Sequence, residues 1–178
     1  MRLPQTQKLP IMVLRLLDEV TSTSRIKERH RMRKIKNLLV EDNRIIRDGI
    51  RAIINKQVDL KTVGALEGNR DTILQVRKLK PHVVLIDLGL RNESGLRIVA
   101  KLNSEMPQTK VIGMGLIPSQ QDVIEFVKAG AMGFILKDAQ VEDFLGTIRS
   151  VAGGTRILPP LLAGSLFTHV VNLAIQRG

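Results

Sequence analysis

The sequence predicts an α/β domain with a five-stranded parallel, doubly wound sheet over residues 34–154. Five short apolar segments alternate with five helical patterns at about twenty residues per unit, which is typical of right-handed βαβ units. The apolar segments are hydrophobic throughout and do not alternate with polar residues, which indicates a sheet covered on both faces. Each apolar segment is predicted to be a strand, and each helical pattern is predicted to be a helix.

The predicted strands are the apolar segments. They are Ile35–Val40, Leu60–Ala65, Val83–Ile86, Val111–Met114 and Gly133–Leu136. Pro81 precedes the third strand, and because proline cannot continue a helix it separates that strand from the helix before it.

The predicted helices carry apolar residues at helical spacing. They are Arg44–Asn55, Asn69–Leu79, Gly95–Glu105, Ser119–Ala129 and Val141–Ala152. Ser119 is a candidate N-cap of the fourth helix, and Gly130 is its expected C-terminal stop.

Composition narrows the class of protein. Of 178 residues, 43% are hydrophobic and 25% are charged, which is typical of a soluble globular protein. The sequence has no cysteine, which excludes disulfides and thiolate metal sites and fits a reducing compartment. No apolar segment approaches the ~20 residues needed to span a bilayer. We therefore expect a cytoplasmic protein without a membrane partner.

The positive charge is concentrated at the N-terminus. The net charge is +11, and residues 1–36 contribute +7 of it, with ten basic residues against three acidic ones. This segment could contact nucleic acid or an anionic membrane, or be a solvated basic extension that includes residues upstream of a natural start at Met32. We favour the second interpretation and expect residues 1–33 to be a flexible extension.

Charged residues follow three of the predicted strands at their carboxyl ends. Glu41 and Asp42 follow the first, Asp87 follows the third, and Lys137 follows the fifth. In a doubly wound sheet the binding site lies at this edge, where the strand order reverses. We therefore expect the four side chains to converge.

These residue types favour metal and phosphoryl chemistry. Three carboxylates at one edge suit a hard divalent cation such as Mg²⁺, which prefers oxygen ligands. Lys137 would then pair with an anion bound beside the metal. Asp87 is the candidate nucleophile, because carboxylates form acyl-phosphate intermediates.

Three motifs surround these residues: Leu39-Val40-Glu41-Asp42-Asn43, Val84-Leu85-Ile86-Asp87-Leu88-Gly89-Leu90 with Ser94-Gly95-Leu96, and Gly130-Ala131-Met132-Gly133-Phe134-Ile135-Leu136-Lys137. In this order they resemble the receiver domain of bacterial two-component response regulators, and the resemblance covers about residues 34–154. The last motif, with Ala152-Gly153-Gly154 and Leu158-Pro159-Pro160, is similar to the NarL/LuxR-type branch. The resemblance implies the flavodoxin-like strand order 2-1-3-4-5.

The resemblance also implies a role for each residue of the site. Asp87 would accept phosphate from a phosphohistidine on a sensor histidine kinase, and Lys137 would pair with that phosphate. Asp42 would bind Mg²⁺ directly, Glu41 mostly through water, and Gly89 through its backbone carbonyl. Asp87 would be a metal ligand as well. Such a domain is a phosphoacceptor signalling module that at most catalyses its own phosphorylation and dephosphorylation.

The switch region departs from the family pattern. Phe134 stands where the family places its rotating switch aromatic. Gly115 stands where the family has a serine or threonine that hydrogen-bonds the phosphoryl group, and Leu116 replaces a small residue. Arg91 stands where a proline is usual. Gly115 and Leu116 favour an alternative, a pseudo-receiver that signals by protein contacts without phosphorylation. The complete set of Glu41, Asp42, Asp87 and Lys137 favours the phosphoacceptor. A third reading, an aspartyl-phosphate hydrolase, is disfavoured because Gly89 replaces the general acid.

Residues 155–178 are predicted to be a linker or an interaction helix. Leu161–Gln176 has an apolar stripe at helical spacing, which would fold back on the receiver, pair with a second copy or pack against a further domain. We favour homodimerisation, because a self-complementary helix pair is the simplest way to bury the stripe. NarL/LuxR-type regulators carry a helix-turn-helix domain after this point, and residues 155–178 do not supply one. We therefore do not expect this chain to bind DNA by itself.

Overall fold

The fold is a parallel sheet with helices on both sides. The computed structural model describes residues 34–91, 94–115 and 120–158. Its elements are β1 Ile35–Val40, α1 Arg44–Asn55, β2 Leu60–Leu66, α2 Thr72–Leu79, β3 Val83–Asp87, α3 Gly95–Glu105, β4 Lys110–Gly115, α4 Gln120–Ala129, β5 Gly133–Leu136 and α5 Val141–Ala152. All pairings are parallel, in the order β2-β1-β3-β4-β5. The predicted fold class and strand order are confirmed.

Helix α2 begins three residues later than the apolar spacing predicted. The Asn69 side chain accepts a hydrogen bond from the Asp71 amide (2.9 Å), and the Thr72 hydroxyl accepts one from the Asn69 amide (3.1 Å). These side chains form a local turn, which competes with helix as asparagine and threonine commonly do. The predicted N-cap Ser119 and the substituted Leu116 lie outside the described residues.

Two apolar layers enclose the sheet. One layer packs against α1 and α5, and its fully buried residues include Leu39, Ile54, Leu85, Ile112 and Ile148. The other packs against α2, α3 and α4, and includes Leu38, Val76, Val84, Ile86 and Leu102. Adjacent residues of one strand therefore belong to opposite layers, as the unbroken apolar segments predicted.

The outer edge of β5 is covered by the chain that follows α5. The Phe134 amide donates to the Ile157 carbonyl, and the Ile157 amide donates to the Met132 carbonyl, both at 3.0 Å. Ile157 thus forms a parallel bridge with Gly133. The packed fold therefore continues past residue 154, where the sequence placed its end.

The terminal predictions lie outside the described residues. They concern the basic extension over residues 1–33 and the apolar stripe over 161–176. Across the part of the chain that the structure does describe, none of the helices has the length and hydropathy of a membrane span.

A candidate metal and phosphoryl site

Three carboxylates converge at the carboxyl edge of the sheet. Glu41 and Asp42 directly follow β1, Asp87 ends β3, and these strands are neighbours. One oxygen from each residue lies within 4.8 Å of the others. The side chains of Glu41 and Asp87 are 2% and 10% exposed, so their charges are largely removed from water. Burial of this kind is costly unless a cation is close by.

Lys137 supplies such a cation. Its Nζ lies 2.8 Å from Glu41 Oε2 and 3.1 Å from Asp87 Oδ1, and its amide donates to the Gly115 carbonyl at 2.8 Å. Burial alone would lower the pKa of Lys137. The hydrogen bonds and the Coulomb attraction of Glu41 and Asp87 outweigh that effect, so the pKa is raised above its ordinary value. The ammonium group is therefore charged at neutral pH.

The two carboxylate oxygens of Asp42 have different surroundings. Its Oδ2 accepts a hydrogen bond from the Arg91 amide at 2.7 Å, and the Arg91 guanidinium Nε lies 3.9 Å from the same oxygen. Oδ1 is buried and has no hydrogen-bond partner among the described residues. A proline at position 91 could not donate this bond, so Arg91 helps to orient the carboxylate.

Glu41 and Asp87 differ in how many of their oxygens are engaged. Glu41 Oε1 accepts from the Asn43 amide at 3.0 Å, and Oε2 forms an ion pair with Lys137 Nζ but has no hydrogen-bond partner among the described residues. In Asp87, Oδ1 accepts from the Gly89 amide at 3.2 Å and contacts Lys137. Asp87 Oδ2 has no such partner among the described residues. The open oxygens are thus Asp42 Oδ1 and Asp87 Oδ2.

This donor set fits Mg²⁺. Three carboxylates against one ammonium give these four side chains a formal net charge of about −2, which a divalent cation neutralises. A buried carboxylate oxygen without a hydrogen-bond partner, such as Asp42 Oδ1, is stabilised by a cation more than by water alone. The structure places the predicted ligands Glu41, Asp42 and Asp87 together, with Gly89 beside Asp87.

The predicted switch residues lie in one apolar cluster beside the site. Phe134 is 2% exposed and packs with Val123 and Leu88. A Cβ added to Gly115 would lie 3.2 Å from Leu88 Cδ1 and 3.3 Å from Phe134 Cζ. The space that a side chain at position 115 would need is therefore filled by these two residues.

Arg47 is a site residue that the sequence analysis missed. It lies on α1 and is 9% exposed. Its Nη1 donates to the carbonyls of Glu41 (2.6 Å) and Asp42 (3.2 Å), and its Nη2 pairs with Glu67 at 3.1 Å. It therefore fixes the backbone that carries both acids. The available signal was a charged residue within the apolar stripe of a helix.

Gly95 is the second missed residue. It opens α3, and a Cβ at this position would lie 2.9 Å from the backbone carbonyl oxygen of Asp87. That separation is shorter than real Cβ contacts, and the opposing atom belongs to the backbone. The absence of a side chain at Gly95 thus lets α3 pack directly behind Asp87.

Comparison with known proteins gives the same family. The model of the response regulator receiver domain matches residues 38–149. The chain is 30% identical over 143 residues to the uncharacterized transcriptional regulatory protein YxjL of Bacillus subtilis, covering 80% of this chain and 66% of YxjL. It is 29% identical to the nitrate/nitrite response regulator protein NarL of Escherichia coli, covering 72% and 62%. The chain therefore spans slightly less than two thirds of the length of these relatives.

Solved structures agree on the fold. A LuxR-family two-component response regulator from Aurantimonas sp. superposes with a TM-score of 0.71 at 20% identity, over 78% of this chain and 99% of that one. The response regulator domain of Thermotoga maritima CheB gives a TM-score of 0.63 at 26% identity, over 68% and 98%. Domains of this family are signalling modules and not classical enzymes. Taken with the acidic edge and its lysine, these matches show that the chain belongs to the receiver domains of two-component response regulators, with relatives of the NarL/LuxR type.

Proposed function

We propose that Asp87 accepts a phosphoryl group from a phosphohistidine on a sensor histidine kinase. In this transfer a carboxylate oxygen of Asp87 bonds to phosphorus, the phosphorus–nitrogen bond breaks, and the imidazole leaves with the electron pair and takes up a proton. The observation that carries the proposal is the contact of Lys137 Nζ with both Glu41 and Asp87. That position puts a positive charge beside the oxygens of an arriving phosphoryl group.

The acids would hold Mg²⁺, which supplies positive charge to the phosphoryl oxygens when bound. Asp42 Oδ1 is buried without a hydrogen-bond partner among the described residues, and it would be a direct carboxylate ligand together with Asp87. Glu41 would act mostly through water, since its Oε1 accepts from the Asn43 amide and its Oε2 faces the Lys137 ammonium group. The backbone carbonyl of Gly89 is proposed as the remaining protein ligand. The fit rests on the closeness of the three carboxylates.

The response to phosphorylation would differ from the usual pattern at Gly115. Glycine has no hydroxyl to hydrogen-bond the phosphoryl group, so Lys137 and Mg²⁺ would hold it. Phe134 is already buried against Gly115 and Leu88. We propose that phosphorylation changes dimer or partner contacts with less movement of Phe134 than a hydroxyl-bearing domain would show.

The proposed partners follow from the family. They are a sensor histidine kinase and a second copy of the chain, with a cytoplasmic location. We propose that the output is regulation of transcription. This output would be reached through a DNA-binding partner and not through DNA contact by residues 34–158. The division into a basic extension (1–33), a receiver (34–154) and a linker or interaction helix (155–178) also remains a prediction.

An NMR titration with Mg²⁺ and beryllofluoride tests the assignment of Asp87. The complex mimics an aspartyl phosphate, so amides beside residues 41, 42, 87 and 137 should shift and saturate. Asp87→Asn should abolish the response, and Asp143→Asn, an exposed acid on α5, should leave it unchanged. An equal response in Asp87→Asn would show that the nucleophile is misassigned. A wild-type domain that binds Mg²⁺ but ignores beryllofluoride would favour the pseudo-receiver alternative.

A further inference from the structure

A positively charged cleft is lined in part by the start of α3, the helix whose Gly95 packs against Asp87. The cleft, of about 520 Å³, opens between the start of α2 and the start of α3. Arg70, Arg97 and Lys101 line it, together with the polar side chains of Asn69 and Ser94. Ile73 and Ile98 complete its wall. The site therefore combines three positive charges with neutral hydrogen-bonding groups, and it includes neither Asp87 nor Lys137.

Some arginines in the described part of the chain pair with a carboxylate, and the three cations of the cleft do not. Arg77, on the same helix α2, pairs with Glu105, and Arg149 pairs with Asp59 at 2.7 Å. Within the described residues, Arg70, Arg97 and Lys101 form no ion pair. Arg97 and Lys101 also stand four residues apart on α3, a spacing at which like charges repel. Their arrangement is unfavourable by itself and becomes favourable when an anion lies between them.

The helix ends add to the positive potential. Residues at the starts of α2 and α3 line the cleft, and neither first turn holds an acidic residue. The partial positive charge of a helix N-terminus favours anions. Asp71 precedes α2 and is exposed, but it is not among the residues that line the cleft.

We propose that this cleft binds a compact ligand that carries a diphosphate group. Three cations complement the roughly three negative charges of a diphosphate, and arginine binds phosphate oxygens in pairs. The Ser94 hydroxyl and the side-chain amide of Asn69 can donate further hydrogen bonds. The volume accommodates a small molecule. The same chemistry occurs in free pyrophosphate and in a nucleoside diphosphate. This site is independent of phosphoryl acceptance at Asp87.

An NMR titration of the full chain with pyrophosphate, ADP and AMP tests the proposal and separates the two sources. It is done in EDTA at physiological salt, so that metal at the acidic edge makes no contribution. Pyrophosphate and ADP should shift the amides of residues 69–73 and 94–98 and reach saturation, and AMP should bind more weakly. Stronger binding of ADP than of pyrophosphate would identify the nucleoside diphosphate as the preferred source.

The variant Arg97→Gln with Lys101→Gln should weaken pyrophosphate binding by at least about tenfold, which corresponds to 1.4 kcal/mol. Its response to beryllofluoride should remain that of wild type, which shows that the fold and the acidic site are intact. Arg77→Gln, which removes a paired cation of α2, is the matched control and should bind pyrophosphate normally. Three results would overturn the proposal: no saturable shift in wild type, unchanged affinity in the double variant, or an equal loss in Arg77→Gln.

Discussion

Replacing Lys137 with methionine should destabilise the domain strongly. The substitution keeps an unbranched side chain but removes the cation that lies 2.8 Å from Glu41 and 3.1 Å from Asp87. Both carboxylates are almost fully buried and would then face each other and Asp42 without compensation. Removing one partner of a buried ion pair costs about 3–5 kcal/mol. Because a domain of this size is stabilised by roughly 5–15 kcal/mol, this loss is a large share of the total.

Urea unfolding at neutral pH, with and without Mg²⁺, measures this effect. Since Mg²⁺ supplies the missing positive charge, it should restore more stability to Lys137→Met than it adds to wild type. Arg149→Met is the matched control, because Arg149 and its partner Asp59 are 40% and 43% exposed. An exposed pair contributes about 0–1 kcal/mol.

The electrostatic account of the site would be refuted by two results. One is a loss in Lys137→Met no greater than the loss in Arg149→Met. The other is an equal gain from Mg²⁺ in wild type and in Lys137→Met, since the account requires the metal to replace the missing lysine charge.

Four further predictions concern the same edge of the sheet. Asp42→Ala should abolish Mg²⁺ binding in calorimetry, and retained affinity would exclude Asp42 as a ligand. Gly95→Ala should lower the free energy of unfolding by about 1–3 kcal/mol because of its contact with the Asp87 backbone, whereas Gly146→Ala, which has open space, should be neutral or stabilising. Gly115→Thr should cost a similar ~1–3 kcal/mol, since the added Cβ would lie 3.2 Å from half-buried Leu88 and 3.3 Å from buried Phe134, and an unchanged melting temperature would contradict that packing. Because the pKa of Lys137 is raised in the folded state, its contribution to the free energy of unfolding is complete below about pH 10.4 and is lost as the pH rises through its folded pKa. The stability difference between wild type and Lys137→Met should therefore stay constant near neutral pH and shrink in strong alkali.

The sheet and its charged edge were predictable because they depend on local patterns. Each strand is an apolar segment of the length that a buried parallel strand needs, and charged residues follow three of the strands at their carboxyl ends. Parallel pairing brings these ends to one edge, so the meeting of Asp87 with Glu41 and Lys137 follows from topology. The strand order itself came from the resemblance to a known family.

The features that were missed depend on contacts between distant segments. Arg47 stands within the apolar stripe of an amphipathic helix, but its hydrogen bonds to two carbonyls of the preceding loop depend on the folded chain. Gly95 reads as a helix start, while its close approach to Asp87 depends on how α3 packs. The bridge from Ile157 to the edge of β5 likewise joins residues that the sequence assigned to a domain and its linker.

Phosphorylation chemistry at Asp87 tests the central claim most directly. Incubation of the chain with acetyl phosphate and Mg²⁺, followed by intact mass measurement and peptide mapping, should show one added phosphoryl group, located on Asp87 and labile in alkali. Incorporation should be slow or incomplete, because Gly115 provides no hydroxyl and a lost charge-assisted hydrogen bond of about 1.5–3 kcal/mol corresponds to a tenfold or larger effect. Phosphorylation of Asp87→Asn to the wild-type extent, or a wild-type chain that binds Mg²⁺ and takes up no phosphate, would contradict the account.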